Sequence, residues 1–366
     1  MADIRNIEKL TAESVELLKE MVAIPSLSFH EDAVCSHISK WLTSKGVEHE
    51  RAGNNIIAEH VTDPSKPTLM LCAHIDTVEP CEGYTFDPYK PENCPGDMVQ
   101  GLGSNDDGAS AVSMIAAYRF FCETLSSGAN LTLVLTCEEE RSGKGGMTGL
   151  WGKRISQIDY AIVGEPTGMK AATSERGLLV IDATAHGISG HAARNEGRNA
   201  LYIALEDIER LRKHEFSKIS PKMGKVNLNV TQINAGSAHN VIPDRCCFVI
   251  DIRPTEQYTN EEIVRELQEI CESELKPRNL ANRSSATHED SPLQKTAEAM
   301  GIETFSSATT SDWMRITCDA IKMGPGESSR SHRKDEFVYI KEIRNAIETY
   351  IKFISSLDFA RDDKQE

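Results

Sequence analysis

Apolar residues along the chain recur with two periods, and the switches between them mark out the elements. Val34, Ile38, Trp41 and Leu42 sit at helical spacing within Glu31 to Lys45, before a stop at Gly46, and Ala12 to Met21 reads the same way. A helix is predicted over Ala109 to Leu125, with Val112, Ile115, Ala116 and Phe120 on its apolar face, and a shorter one over Pro292 to Met300. Ile340, Ile343, Ile347, Tyr350, Ile351 and Ile354 give Val338 to Leu357 a stripe that covers a sheet. Between these lie short apolar runs, at Asn55 to His60, Thr68 to Ala73, from Leu131 up to the carboxylates at Glu138, Tyr160 to Gly164 and Asp319 to Met323. Near-continuous runs of that length suit buried strands of a parallel sheet.

From about Ser174 the texture changes. Gly177 to His186 reads as a strand, Asn199 to Lys213 as a helix, Lys225 to Ile233 and Cys246 to Arg253 as strands, and Asn260 to Leu275 as a helix. A strand near Arg283 to Thr287 completes β-α-β-β-α-β, the order of a ferredoxin-like sandwich. The prediction is an α/β domain on a mixed sheet, built from residues 1–173 and 285–366, with an inserted ferredoxin-like α+β domain at 174–284.

Composition narrows the function classes. The chain of 366 residues is long enough for two domains. Its net charge of −16 argues against nucleic acid as a partner, because phosphate binding needs clustered Lys and Arg. No apolar stretch approaches the roughly 20 residues of a spanning helix, and the N-terminal residues lack the pattern of a signal peptide, so no membrane is expected. Ten cysteines without paired spacing suit reduced thiols, and the expected location is cytoplasmic.

The chemistry gathers where strands end, the edge at which open α/β sheets bind ligands. Thr68 to Ala73 runs into His74-Ile-Asp76, whose two side chains can share one face. The run from Leu131 stops in Glu138-Glu139-Glu140, and Tyr160 to Gly164 stops in Glu165. Gly101-Leu-Gly-Ser-Asn-Asp-Asp-Gly108 is not a phosphate loop, since no Gly-Lys-Ser/Thr follows and Asp106 stands where a dinucleotide loop needs glycine. Asp106 and Asp107 instead enter a helix. Singly, each of these residues has a plain structural reading as a helix cap, a solvated acid or a satisfied histidine. Three acidic or imidazole strand ends on one edge point to a site of oxygen and imidazole ligands. Arg253 ends a strand in the inserted domain, where a planar guanidinium suits a carboxylate, and His332 lies on a loop after the last strand.

The set His74-x-Asp76, Gly-x-Gly-x-x-Asp106, Glu139-Glu140, Gly-Glu165-Pro-Thr and Gly-Pro-Gly with His332 and Asp335-Glu336 resembles the acetylornithine deacetylase and succinyl-diaminopimelate desuccinylase family of dinuclear zinc deacylases and peptidases. The resemblance spans nearly the whole chain, inserted domain included. It implies two Zn²⁺ ions, with Co²⁺ or Mn²⁺ as substitutes, bridged by Asp106, with His74 and Glu165 on one and Glu140 and His332 on the other. It implies Asp76 as the residue orienting His74, Glu139 as general base, and a cis peptide between Asp106 and Asp107. It also implies a homodimer in which His191 and Asn240 reach the neighbouring subunit's site, Arg253 binds the substrate carboxylate, and Thr310-Ser311-Asp312 forms a pocket wall.

Two departures stand out. The basic residue that relatives carry after the bridging aspartate is missing, and Ser-Arg-Ser precedes His332, which puts the pocket wall in question. The substrate that follows is a small N-acyl amino acid, with N-acetyl-L-ornithine favoured, N-succinyl substrates or peptides as alternatives, and a non-catalytic metal-binding scaffold as a remote one.

Overall fold

In the computed structural model, residues 4–91, 95–124, 128–194 and 196–357 are described. Leu125, the predicted end of one helix, and the N-terminal residues 1–3 lie outside them. The chain divides into two compact units, Met1–Thr173 with Thr287–Phe305 and Ser311–Glu366, and Ser174–Ala286 with Ser306–Thr310.

The first unit carries a mixed sheet whose centre is four parallel strands, in the order Asn130–Thr136, Thr68–His74, Tyr160–Val163 and Asp319–Lys322. His74 lies opposite Thr136, Cys72 opposite Val163, and Val163 opposite Lys322. The register therefore brings every carboxyl end to the same edge. Antiparallel Asn55–His60 and then Glu50–Ala52 extend the sheet on the Asn130–Thr136 side. The apolar runs are continuous because both faces are covered. Leu69, Leu71, Ala73, Leu131, Leu133, Leu135, Ile162 and Ile321 join the large core, whereas Met70, Cys72, Val134, Ala161, Val163 and Ala320 join a smaller one with Trp313. This alternation is the period-2 consequence of the pleat.

Among the described residues five helices contribute to the large core, the three longest being Ile4–Val22, Ala109–Thr124 and Ile340–Ser356. Ala109–Thr124 is buried almost all round, and Ile340–Ser356 turns Ile343, Ile347, Tyr350, Ile351 and Ile354 inward as its spacing predicts. Ile4–Val22 starts eight residues before the predicted Ala12, because Ile7 and Leu10 also pack into the core and extend the apolar stripe.

The second unit has the sheet order Asn227–Ala235, Arg245–Arg253, Leu179–His186, Glu274–Pro277. With helices Ala200–Lys213 and Asn260–Ile270 this is β-α-β-β-α-β, the ferredoxin-like order. Two predicted details are corrected. The second helix stops at Ile270 rather than Leu275, and Glu274–Pro277 is the fourth strand in place of Arg283–Thr287. Ser285 and Ala286 pair instead with Glu175 and Ser174. The cause is Asp207, fully buried on the first helix, which accepts hydrogen bonds from Glu272 N (3.0 Å), Ser273 N (2.8 Å) and Ser273 Oγ (2.7 Å). These bonds satisfy the backbone of a turn just where the helix would otherwise continue.

Asp207→Ala is expected to leave those donors unpaired and to cost about 3 kcal/mol of stability in urea unfolding. Asp207→Asn, which keeps one acceptor oxygen, is expected to cost less.

Candidate metal centre and active site

The carboxyl edge of the four parallel strands gathers the predicted metal ligands and general base. His74 is the last residue of its strand and is buried. Its Nε2 lies 3.1 Å from Asp106 Oδ1, while the other oxygen of Asp106 lies 3.6 Å from His332 Nε2. His332 Nε2 is also 3.0 Å from Glu140 Oε1. One carboxylate thus faces two imidazoles, one through each oxygen. Ligand-type atoms of His74, Asp106 and Glu140, and separately of His74, Glu139 and Glu165, lie within 4.8 Å of one another. The peptide from Asp106 to Asp107 is cis, as the resemblance implies.

The three consecutive glutamates are separated by backbone geometry. Glu138 takes a left-handed conformation (φ 59°), and its side chain folds back to accept Gly145 N at 2.7 Å. A Cβ at Gly145 would come within 2.4 Å of that carboxylate, so the loop needs glycine there. Glu139 and Glu140 then begin a short helical turn, whose N–H groups donate to Asp76, at 3.0 Å to Oδ1 and 3.2 Å to Oδ2. Ser28 Oγ donates to the same carboxylate at 2.7 Å. Asp76 also faces His74, whose Nδ1 is 3.0 Å from the Asp76 carbonyl and 3.5 Å from its carboxylate. Its reach therefore exceeds the predicted task of orienting one histidine.

Several supporting residues were not singled out from the sequence. Buried Glu31, predicted as part of a helix, sits just before it and accepts from Phe29 N, Asn54 Nδ2 and Glu138 N. Glu336 accepts from Gly103 N (3.1 Å), Asn105 N (2.9 Å) and Asp106 N (2.9 Å), which fixes the loop that presents Asp106. Asn105 ties that loop to the last one, bonding Glu327 N and O and Ser331 Oγ. A carboxylate near main-chain donors far away in sequence leaves no periodic signal. Only the motif position of Glu336 hinted at a role.

The two departures resolve differently. Arg330 of Ser-Arg-Ser turns into a bidentate pair with Glu342 (2.7 and 3.1 Å) and lies over the rings of Phe337 and Tyr339. Ser311 and Asp312 are buried, and Asp312 accepts from Thr136 Oγ1 at 2.6 Å behind the strand end, so this part of the expected pocket wall belongs to the interior. Nothing in the structure explains the missing basic residue; buried Lys322, opposite Val163 on the adjacent strand, is a cation whose charge acts on Glu165.

Electrostatics favour a cation here. Burial pushes the Glu139 carboxyl well above the usual range, and burial with repulsion from Asp106 does the same at Glu165. Burial opposes charge on His74, but the carboxylates of Asp106 and Asp76 outweigh it and hold the imidazole well above its ordinary value. The bond to Glu140 raises His332 to about 9. Crowded buried carboxylates that push one another up are relieved by an ion of opposite sign, and mixed imidazole and carboxylate donors suit Zn²⁺, Co²⁺ or Mn²⁺. The residues fit a bound divalent metal.

In the second unit, two-residue strands pair His191 with Val241, next to Asn240, whose carbonyl accepts Ala192 N at 3.0 Å. His191 is exposed, and its Nδ1 accepts from Ala193 N at 3.2 Å, which leaves Nε2 as the protonated, donating nitrogen of the neutral ring. Arg253 holds Asp251 through Nε (2.8 Å) and Nη2 (3.1 Å). Thr310 belongs to the short segment Ser306–Thr310 of this unit.

Among the described residues no helix is long and apolar enough to cross a membrane. Residues 173–279 match the peptidase dimerisation domain family, and residues 55–168 match peptidase family M28. The chain is 27% identical to a succinyl-diaminopimelate desuccinylase of Wolbachia pipientis, over 94% of this chain and 93% of that protein. It is also 27% identical to an acetylornithine deacetylase of Proteus mirabilis, over 88% and 91%. Among solved structures, aminopeptidase PepT from Bacillus cereus superposes with a TM-score of 0.76 at 19% identity, covering 94% of this chain and 98% of that one. Strand-end cluster, inserted unit and relatives agree on a metal-dependent amide hydrolase, similar over nearly its whole length to the succinyl-diaminopimelate desuccinylases and acetylornithine deacetylases.

Proposed function

We propose that the protein is an N-acyl amino acid amidohydrolase that holds two Zn²⁺ ions, with Co²⁺ or Mn²⁺ as substitutes, and releases the acyl group of N-acetyl-L-ornithine in arginine biosynthesis. The observation that carries this reading is the Asp106 carboxylate, one oxygen toward His74 and the other toward His332, with Glu140 and Glu165 completing the two ligand sets. Bound divalent metal supplies an acidified water, with a pKa lowered toward about 7, and a Lewis acid for the amide carbonyl.

The chain's own residues supply the rest. Glu139, with its carboxyl raised by burial, takes a proton from the attacking water and returns it to the leaving amine. Asp76 holds Glu139 and Glu140 by their N–H groups. His191, donating through Nε2, stabilises the oxyanion of the tetrahedral state, Asn240 and Thr310 contact the substrate, and Arg253 exchanges Asp251 for the substrate carboxylate. The dimerisation-domain match supports a homodimer in which His191 and Asn240 act on the neighbouring subunit's substrate. Nine described cysteines are free thiols, which supports a reducing, cytoplasmic setting.

A second reading, desuccinylation of N-succinyl-diaminopimelate or N-succinyl-ornithine, is supported by the desuccinylase relative at 27% identity. A peptidase reading is supported by the match of residues 55–168 to peptidase family M28 and by the fold. The deciding experiment compares kcat/KM on N-acetyl-L-ornithine, the two N-succinyl substrates and a tripeptide. The proposal expects acetylornithine to lead by about 10²-fold, and a lead for either other class selects that reading.

The glutamate triplet gives an independent test by metal analysis and turnover. Glu140→Ala is expected to lose zinc. Glu139→Ala should keep zinc and lose about 10³-fold or more in kcat. Glu138→Ala should do much less to either.

A further inference from the structure

His332 is the least supported of the five proposed ligands. The other four stand at a strand end, in a turn pinned by Asp76, two residues past a strand, or in a loop pinned by Glu336. His332 lies on an irregular loop, its side chain is 54% exposed, and its backbone is left-handed (φ 56°), as is that of Asp335 three residues on (φ 60°). Left to itself, such a loop would order its histidine only at the expense of binding energy.

A second segment grips the same loop. The chain that leaves Asp76 and Thr77 passes Gly83 against the Lys334 side chain, where a Cβ would sit 3.6 Å from Cδ. Thr85 then donates to Asp335 Oδ1 twice, from its N at 2.7 Å and its Oγ1 at 3.1 Å. The Tyr84 hydroxyl is buried, and its ring packs edge-on to Phe86 with centroids 5.6 Å apart. Pro88 O accepts Leu102 N at 3.0 Å, and Glu336 O accepts Gly101 N at 2.9 Å. One strap therefore joins the strand end that bears His74, the loop of Asp106 and the loop of His332.

We infer that residues 83–88 form a strap that sets the reach of His332, with Thr85 and Asp335 as positioning residues for that ligand and its metal ion. The inference rests on the proposed role of His332. The strap touches the His332 loop by direct hydrogen bonds, whereas His74 ends a strand paired on both sides and Glu165 follows Gly164, whose N–H donates to Cys72 O on that strand. Loosening it should therefore affect one metal position and spare the other. What matters at position 335 is an acceptor oxygen, so asparagine should serve where alanine does not.

The test is calorimetric titration of the metal-stripped full-length protein with Zn²⁺, comparing wild type, Asp335→Ala, Asp335→Asn and His332→Ala. Asp335→Ala is expected to weaken one of two binding steps by about tenfold and to leave the other within about twofold. Asp335→Asn should keep both. A general loss of packing would weaken both steps together with the melting temperature, and that result overturns the strap, as do two unchanged steps or an Asp335→Asn as weak as Asp335→Ala. If His332→Ala loses a step while Asp335→Ala loses none, the strap alone is refuted. If His332→Ala loses none, the ligand role of His332 falls and the strap with it.

Discussion

The Asp76 carboxylate is the contact on which the candidate site depends. It is buried at 1% exposure and collects Ser28 Oγ, Glu139 N and Glu140 N, with the His74 ring beside it. Burial alone would raise its pKa, yet the facing His74 and these donors hold it below the usual range, so the group stays charged. A buried charge is tolerable only when it is fully paired. The site's geometry follows from that demand, because two stretches distant in sequence, at Ser28 and at Glu139 and Glu140, must meet the charge beside His74 in one arrangement.

That arrangement also explains how three adjacent glutamates coexist. Glu138 is turned away by a left-handed backbone and closes its own loop, while Glu139 and Glu140 are aimed by N–H groups that end on Asp76. The carboxylates repel one another less because they point to different places. Glu336 plays the corresponding part on the other side, gathering three N–H groups of the loop that carries Asp106. Two buried acids that touch no proposed substrate thus position the groups that would.

Much of this was legible in the sequence, for physical reasons. A parallel sheet covered on both faces writes its strands as apolar runs, and each run here stops where a polar residue meets the sheet edge, at His74, Glu138 and Glu165. The last helix announced itself through Ile343, Ile347, Tyr350 and Ile354. What stayed hidden depends on partners remote in sequence. Nothing local says that Asp207 will stop a helix at Ile270, that Glu31 will reach Glu138, or that Arg330 will turn to Glu342 instead of the pocket. The early start at Ile4 was hidden for the opposite reason, since its apolar positions Ile7 and Leu10 are sparse among charges.

The central claim is that Asp76 organises both proposed metal positions, His74 on one side and Glu140 on the other, and does more than orient a single histidine. The most direct measurement is stepwise Zn²⁺ affinity in Asp76→Asn, which keeps the shape of the side chain but presents an NH₂ group to donors that need an acceptor. The account predicts that both binding steps weaken, by about tenfold or more each, in a protein that still folds. Weakening of one step alone, or of neither, would contradict it.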